Sequence, residues 1–99
     1  MLTLSSAQRR FLRARAHVLQ PVVMIGNQGL TEAVLKEISS SLAHHELIKI
    51  RVLGDDRAAR IAYYATICSA LSAAEVQHIG KLLIIYRPAE KRVIILPKN

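Results

Sequence analysis

Several things are scarce in this chain of 99 residues, and each scarcity closes a route. A single cysteine, Cys68, excludes an internal disulfide and fits a reducing cytoplasm. No apolar run approaches the roughly 20 residues that a membrane-crossing helix needs. Met1 to Leu4 offer no charged start ahead of an apolar stretch, so no export signal is expected. The chain has no His-Glu-x-x-His spacing, and its acids do not recur at chelating intervals, so neither a metal nor another cofactor is expected. His44, His45 and Glu46 are adjacent, whereas ligands sharing a helical face stand three or four apart; they read as a helix end running into a strand. Catalysis is not expected. Acid is missing altogether from residues 1–29.

What is present fits one soluble domain. Hydrophobic residues make up 52% of the chain, enough for a single core. The net charge is +7 and the pI near 10.2, and the excess is segregated. Residues 1–29 carry Arg9, Arg10, Arg13 and Arg15 unopposed; residues 30–86 hold six bases against six acids; residues 87–99 hold four bases against Glu90. A neutral body with basic ends is an electrostatic footprint for a polyanion if folding brings those ends together. The plain alternative is a basic surface kept for solubility.

Local signals divide the chain. Ser5 and Gln8 form a capping box opening a helix over 6–17, with Arg9, Arg10, Arg13 and His17 on one face and Leu4, Phe11, Leu12 and Leu19 on the other. Arg15 falls among the apolar residues, and its stem is expected on the core with its head in water. Pro21 to Ile25 is an apolar strand expected to be buried on both faces. Thr31 caps a second helix whose stripe is Val34, Leu35, Ile38 and Leu42. Residues 46–53 alternate as a strand, with Lys49 and Arg51 on one side. Asp55-Asp56 supplies a cap for a helix over 57–71, whose inward stripe reads as Ile61, Ala65, Cys68 and Leu71. Tyr63 and Tyr64 cannot both face inward. Strands over 75–79 and 82–87 are joined by Gly80-Lys81, a link suited to a type II′ turn. The basic tail 88–99 either adds a short edge strand at 93–96 or docks.

The predicted class is α/β: an N-terminal helix followed by β-α-β-α-β-β, a two-layer sandwich with a mixed four-stranded sheet. Its uncovered face would display Lys49 and Arg51. Between the first strand and second helix lies Gly26-Asn27-Gln28-Gly29. Two glycines three apart permit positive φ and close approach of a ligand backbone, and the following helix start presents unpaired amides. The tetrapeptide alone serves equally as a structural turn.

Leu12 to His17, Pro21-Val22-Val23, Gly26 to Glu32, His45 to Ile50, and Val76 to Lys81 with Leu83 to Pro88 occur in the order and spacing of the CRM domain (chloroplast RNA splicing and ribosome maturation). The chain resembles the stand-alone bacterial YhbY-like members over almost its whole length. The resemblance implies a fold similar to the C-terminal domain of translation initiation factor three. It also implies RNA contact through the loop Gly26 to Gly29, basic support from Arg9, Arg10 and Arg13, and association with large-subunit ribosomal precursors as an assembly factor. Two departures stand out. Asn27 and Gln28 occupy positions where the family often has a base. Arg15 stands where leucine is usual, and a glycine is usual near Ser72 after the third helix.

The leading expectation is therefore a cytoplasmic, monomeric, non-catalytic RNA-binding protein that uses Gly26, Asn27, Gln28, Gly29, Arg9, Arg10, Arg13, Lys49 and Arg51. Gly29→Asp is expected to weaken RNA binding. The alternative is a protein-binding adaptor on the ribosome without direct RNA contact, which would need an exposed apolar patch.

Overall fold

Caps set the helix starts. In the computed structural model, which describes residues 2–98, Ser5 Oγ accepts from the Gln8 amide at 3.1 Å and Gln8 Oε1 accepts from the Ser5 amide at 3.0 Å, opening helix α1 (Ser6–Ala16). Thr31 Oγ1 accepts from the Val34 amide to open α2 (Glu32–His45), and Asp56 accepts from the Ala59 amide to open α3 (Arg57–Leu71). The strands are β1 (Pro21–Ile25), β2 (Leu47–Val52), β3 (Ala74–Ile79) and β4 (Leu82–Tyr86). Gly80, at φ +55, turns the β3–β4 hairpin. The sheet order is β1-β2-β4-β3: β1 is parallel to β2, while β4 is antiparallel to β2 and β3. The mixed four-stranded sheet is as the sequence predicts.

One face of the sheet packs against α2 and α3. Val23, Ile25, Ile48, Ile50, Val52, Leu83 and Ile85 meet Ile38, Leu42, Tyr64, Ile67 and Cys68. Each such aliphatic side chain, once fully buried, contributes roughly 1.5–3 kcal/mol. Burial pushes the Cys68 thiol up to about 12, helped by the nearby charge of Glu75, so it is an inert core residue.

The α3 stripe differs from the predicted one. Ile61 and Ala65 are exposed, and the buried residues are Arg60, Tyr64, Ile67 and Cys68. Alanine gives almost no contrast between faces, so the sequence left the helix free to rotate. Tyr64 turns inward and donates to the Ile84 carbonyl at 2.6 Å, while Tyr63 stays half-buried.

The opposite face is not fully open. Leu4, Leu12 and Ala16 cover Leu47, Ala74, Val76, Ile84 and Tyr86, and Ile94 of the C-terminal segment closes the same cluster. That segment docks without forming a strand. Its anchor is Glu46, which is fully buried at φ +64 and accepts from the amides of Ala89 (2.6 Å), Val93 (2.9 Å) and Ile94 (2.6 Å). Arg87 completes the junction by donating to the carbonyls of Ser39 (2.9 Å) and Leu71 (3.2 Å). Gln8 reaches the Pro97 carbonyl at 3.0 Å.

Strand β1 also departs from expectation. It is an edge strand, and α1 does not extend over it, so only Val23 and Ile25 are buried while Val22 and Met24 are exposed.

Candidate functional site

The β1–α2 corner is a tight turn closed by the Gly29 amide donating to the Gly26 carbonyl at 3.0 Å. The two glycines do different work. Gly29 has φ +75, and a Cβ there would lie 2.9 Å from the Tyr63 hydroxyl, so both the turn and its seat on α3 select glycine. Gly26 has ordinary backbone, and a Cβ there would meet nothing within 4 Å. Its bare backbone faces open space, as do the exposed Asn27 and Gln28.

Cross-strand pairing fixes what lies beside this corner. Met24 pairs with Arg51, Arg51 with Leu82, and Leu82 with Ile79, so these four form one row across the face that α1 covers only in part. Met24, Arg51 and Ile79 are exposed. Lys49, half-buried, lies two residues back from Arg51 on the same face, about 6.6 Å along the strand.

On α1, the buried Leu12 and Ala16 divide the helix into two flanks. Gln8 and Arg15 lie on the flank that meets the C-terminal segment, and the Arg15 guanidinium rests 5.6 Å from the Phe11 ring centroid. At 100° per residue Arg9 and Arg13 take the other flank, toward the uncovered rows, and Arg10 points to solvent. Arg9 also donates through Nε to the Glu75 carbonyl at 3.1 Å.

The basic tail does not join them. Glu46 precedes β2 whereas the glycine turn follows β1, and the two strands are parallel. The tail is therefore pinned at the far end of the sheet, about 20 Å away over six residues. The expectation that both basic ends flank the glycine corner is corrected: the opening helix contributes and the tail does not. Arg87 is likewise occupied inside the fold.

Residues 4–87 match the profile of the CRS1 / YhbY (CRM) domain. The chain belongs to the CRM domain family. It is 50% identical over the full length of both chains to the Haemophilus influenzae protein named "RNA-binding protein". It is 34% identical to the Pseudomonas aeruginosa "Probable RNA-binding protein", covering 91% of this chain and 86% of that one. The solution structure of a hypothetical protein from Staphylococcus aureus superposes with a TM-score of 0.84 at 34% identity, covering 96% of this chain and 100% of that chain.

Two anchors were given no role from sequence, and one buried charge was missed. Glu46 and Arg87 are structural anchors whose partners are distant in the chain. Arg60 is buried on α3, and the signal was available: it shares a helical face with Tyr63, Tyr64 and Ile67, where a charge is out of place.

Proposed function

We propose that this CRM protein is a non-catalytic RNA-binding protein whose ligand runs from the Arg9–Arg13 flank of α1, over Lys49 and Arg51, to the turn Gly26–Gly29. The observation that carries the reading is that Lys49 and Arg51, without an acid partner among the described residues, share one partly uncovered strand face leading to an exposed glycine turn. The names of the relatives support the class of ligand. Cationic side chains hold phosphates and set register, and the bare backbone of Gly26, flanked by Asn27 and Gln28, admits a single-stranded or irregular segment closely. The family resemblance extends the reading to ribosomal RNA in precursors of the large subunit. There the protein acts as a monomeric assembly factor in the cytoplasm.

The test is titration of single-stranded RNA at several salt concentrations. With Arg9, Arg13, Lys49 and Arg51 on phosphates, about four contacts give a slope of about −3, roughly a fiftyfold loss of affinity between about 50 and 200 mM salt. A flat response overturns the reading. Gly26→Asp is a cleaner loop variant than Gly29→Asp, because a side chain at Gly29 also disturbs the turn and the Tyr63 contact. Gly26→Asp weakens binding in a protein that melts normally; unchanged affinity removes the loop from the site. Crosslinking in cells separates the finer reading, with large-subunit precursor RNA enriched over messenger fragments.

One feature favours the protein-adaptor alternative. A cleft of about 530 Å³ at the tail end is lined by Val18, Leu19, Val22, Leu47, Val93 and Ile94, and three of these, Val18, Val22 and Val93, are exposed apolar residues. RNA binding with an intact salt dependence by the isolated protein decides against an adaptor that makes no RNA contact.

A further inference from the structure

Arg60 is 8% exposed, and its Nε and Nη1 are enclosed with no hydrogen-bond partner among the described residues. Two acids lie in the preceding loop, and neither hydrogen-bonds to it, although Asp55 feels its charge at longer range. Asp55 pairs with Lys81 at 3.0 Å, and Asp56 caps α3 through the Ala59 amide. An enclosed guanidinium without acceptors costs folding free energy, because its donors have given up water for nothing. Such a group calls for an explanation, and completion by a ligand is one.

Its place in the fold indicates which ligand. Arg60 lies in the first turn of α3, one turn ahead of Tyr63, whose hydroxyl abuts Gly29. Side chains on a helix lean toward its N-terminus, so the guanidinium is carried toward the loop end of the sheet. There the Leu53 amide donates to the Ile25 carbonyl at 2.9 Å and ties the β2–α3 loop to the strand that enters the glycine turn. Of the three guanidinium nitrogens, Nη2 alone is not among the enclosed, unpartnered atoms, and it gives access from outside. The turn itself carries no base, since Asn27 and Gln28 are neutral.

We propose that Arg60 is a phosphate ligand of the RNA site, a buried cation that supplies the charge missing from the turn Gly26–Gly29. The proposal rests on the RNA-binding reading above. Burial removes solvent from most of the guanidinium, so a phosphate that reaches it is less screened than at an exposed lysine.

Arg60→Met keeps an apolar stem of similar length and removes the charge. Thermal melting and fluorescence titration of a short unstructured RNA at several salt concentrations read the result. A melting temperature at or above that of the parent is expected, with affinity five- to tenfold lower and a salt slope shallower by about one phosphate contact. Arg60→Gln gives the same readout if the methionine variant melts below the assay temperature. A folded variant with parental affinity and slope overturns the proposal, and one that melts lower with an unchanged slope makes Arg60 a structural residue. In either case Lys49→Glu and Arg51→Glu still weaken binding if the general reading holds. Failure of the parent protein to bind RNA sinks that reading instead.

Discussion

The two ends of the sheet treat polar groups in opposite ways. At the tail end, Glu46 receives three amides and Arg87 reaches the carbonyls of Ser39 and Leu71. At the loop end, Gly26, Asn27 and Gln28 are exposed, Arg51 has no acid partner among the described residues, and Arg60 is enclosed without acceptors. The tail end is largely satisfied by its own chain, the buried Tyr86 hydroxyl being its one enclosed side-chain atom without a partner among the described residues. The loop end is the less complete of the two, which is the condition the proposed RNA site would need. The charge that looks alike in the sequence, at the first helix and at the tail, therefore serves two different purposes.

The largest expected effect breaks the satisfied end. Glu46→Ala strips the acceptor from three amides and releases the C-terminal segment, at a cost of about 3 kcal/mol in a denaturant titration. The folded fraction keeps its RNA affinity, because the interface is at the other end; a parallel loss of affinity per folded molecule would contradict the division. Acid gives the same result without mutation. Burial of Glu46 acts to raise its pKa, but the amides of Ala89, Ile94 and Val93 and the charge of Arg92 outweigh burial and leave it below the usual carboxylate value. A depressed folded pKa means that the carboxylate's contribution is complete above the unfolded value of about 4.3 and is lost as pH falls through the folded value. Glu46→Gln removes that part of the acid dependence, measured as stability from neutral pH down to about pH 3.

Next in size is the contrast between cations at the two ends. Lys49→Glu with Arg51→Glu lowers RNA affinity on the order of thirtyfold near physiological salt and flattens the salt slope. Lys91→Glu with Arg92→Glu makes the same change of formal charge per site in the tail and changes affinity by less than about threefold, the residue of long-range attraction under screening. Equal effects from the two pairs would mean that net charge, not placement, governs binding.

Legibility from sequence follows the range of each interaction. Helix starts, the hairpin turn and strand periods are local, and Ser5, Thr31, Asp56 and Gly80 announce them within four residues. The glycine turn was legible for the same reason. The exposed face of β1 was not, because an edge position depends on strand order and not on Val22 or Met24 themselves. The tail's location was hidden too, since its acceptor lies 43 to 48 residues earlier at Glu46. Arg60 was readable in principle, but an alanine-rich helix blurred which face turned inward.

The smallest expected effect also belongs to the satisfied end. Ser72 closes α3 at φ +54 in the left-handed region, a position that favours glycine. A β-carbon there costs about 1–2 kcal/mol, and glycine's greater freedom in the unfolded chain returns about 0.4–1 of it. Ser72→Gly is therefore expected to stabilise the fold by about 0.5–1 kcal/mol, read as a rise of about 4 °C in Tm. Because Ser72 lies beside Leu71, whose carbonyl receives Arg87, the gain accrues far from the glycine turn and RNA affinity stays constant. A stabilised variant with altered affinity would show that strain at the helix end is transmitted along α3 to Tyr63 and the turn it supports, and the two ends would then have to be treated as coupled.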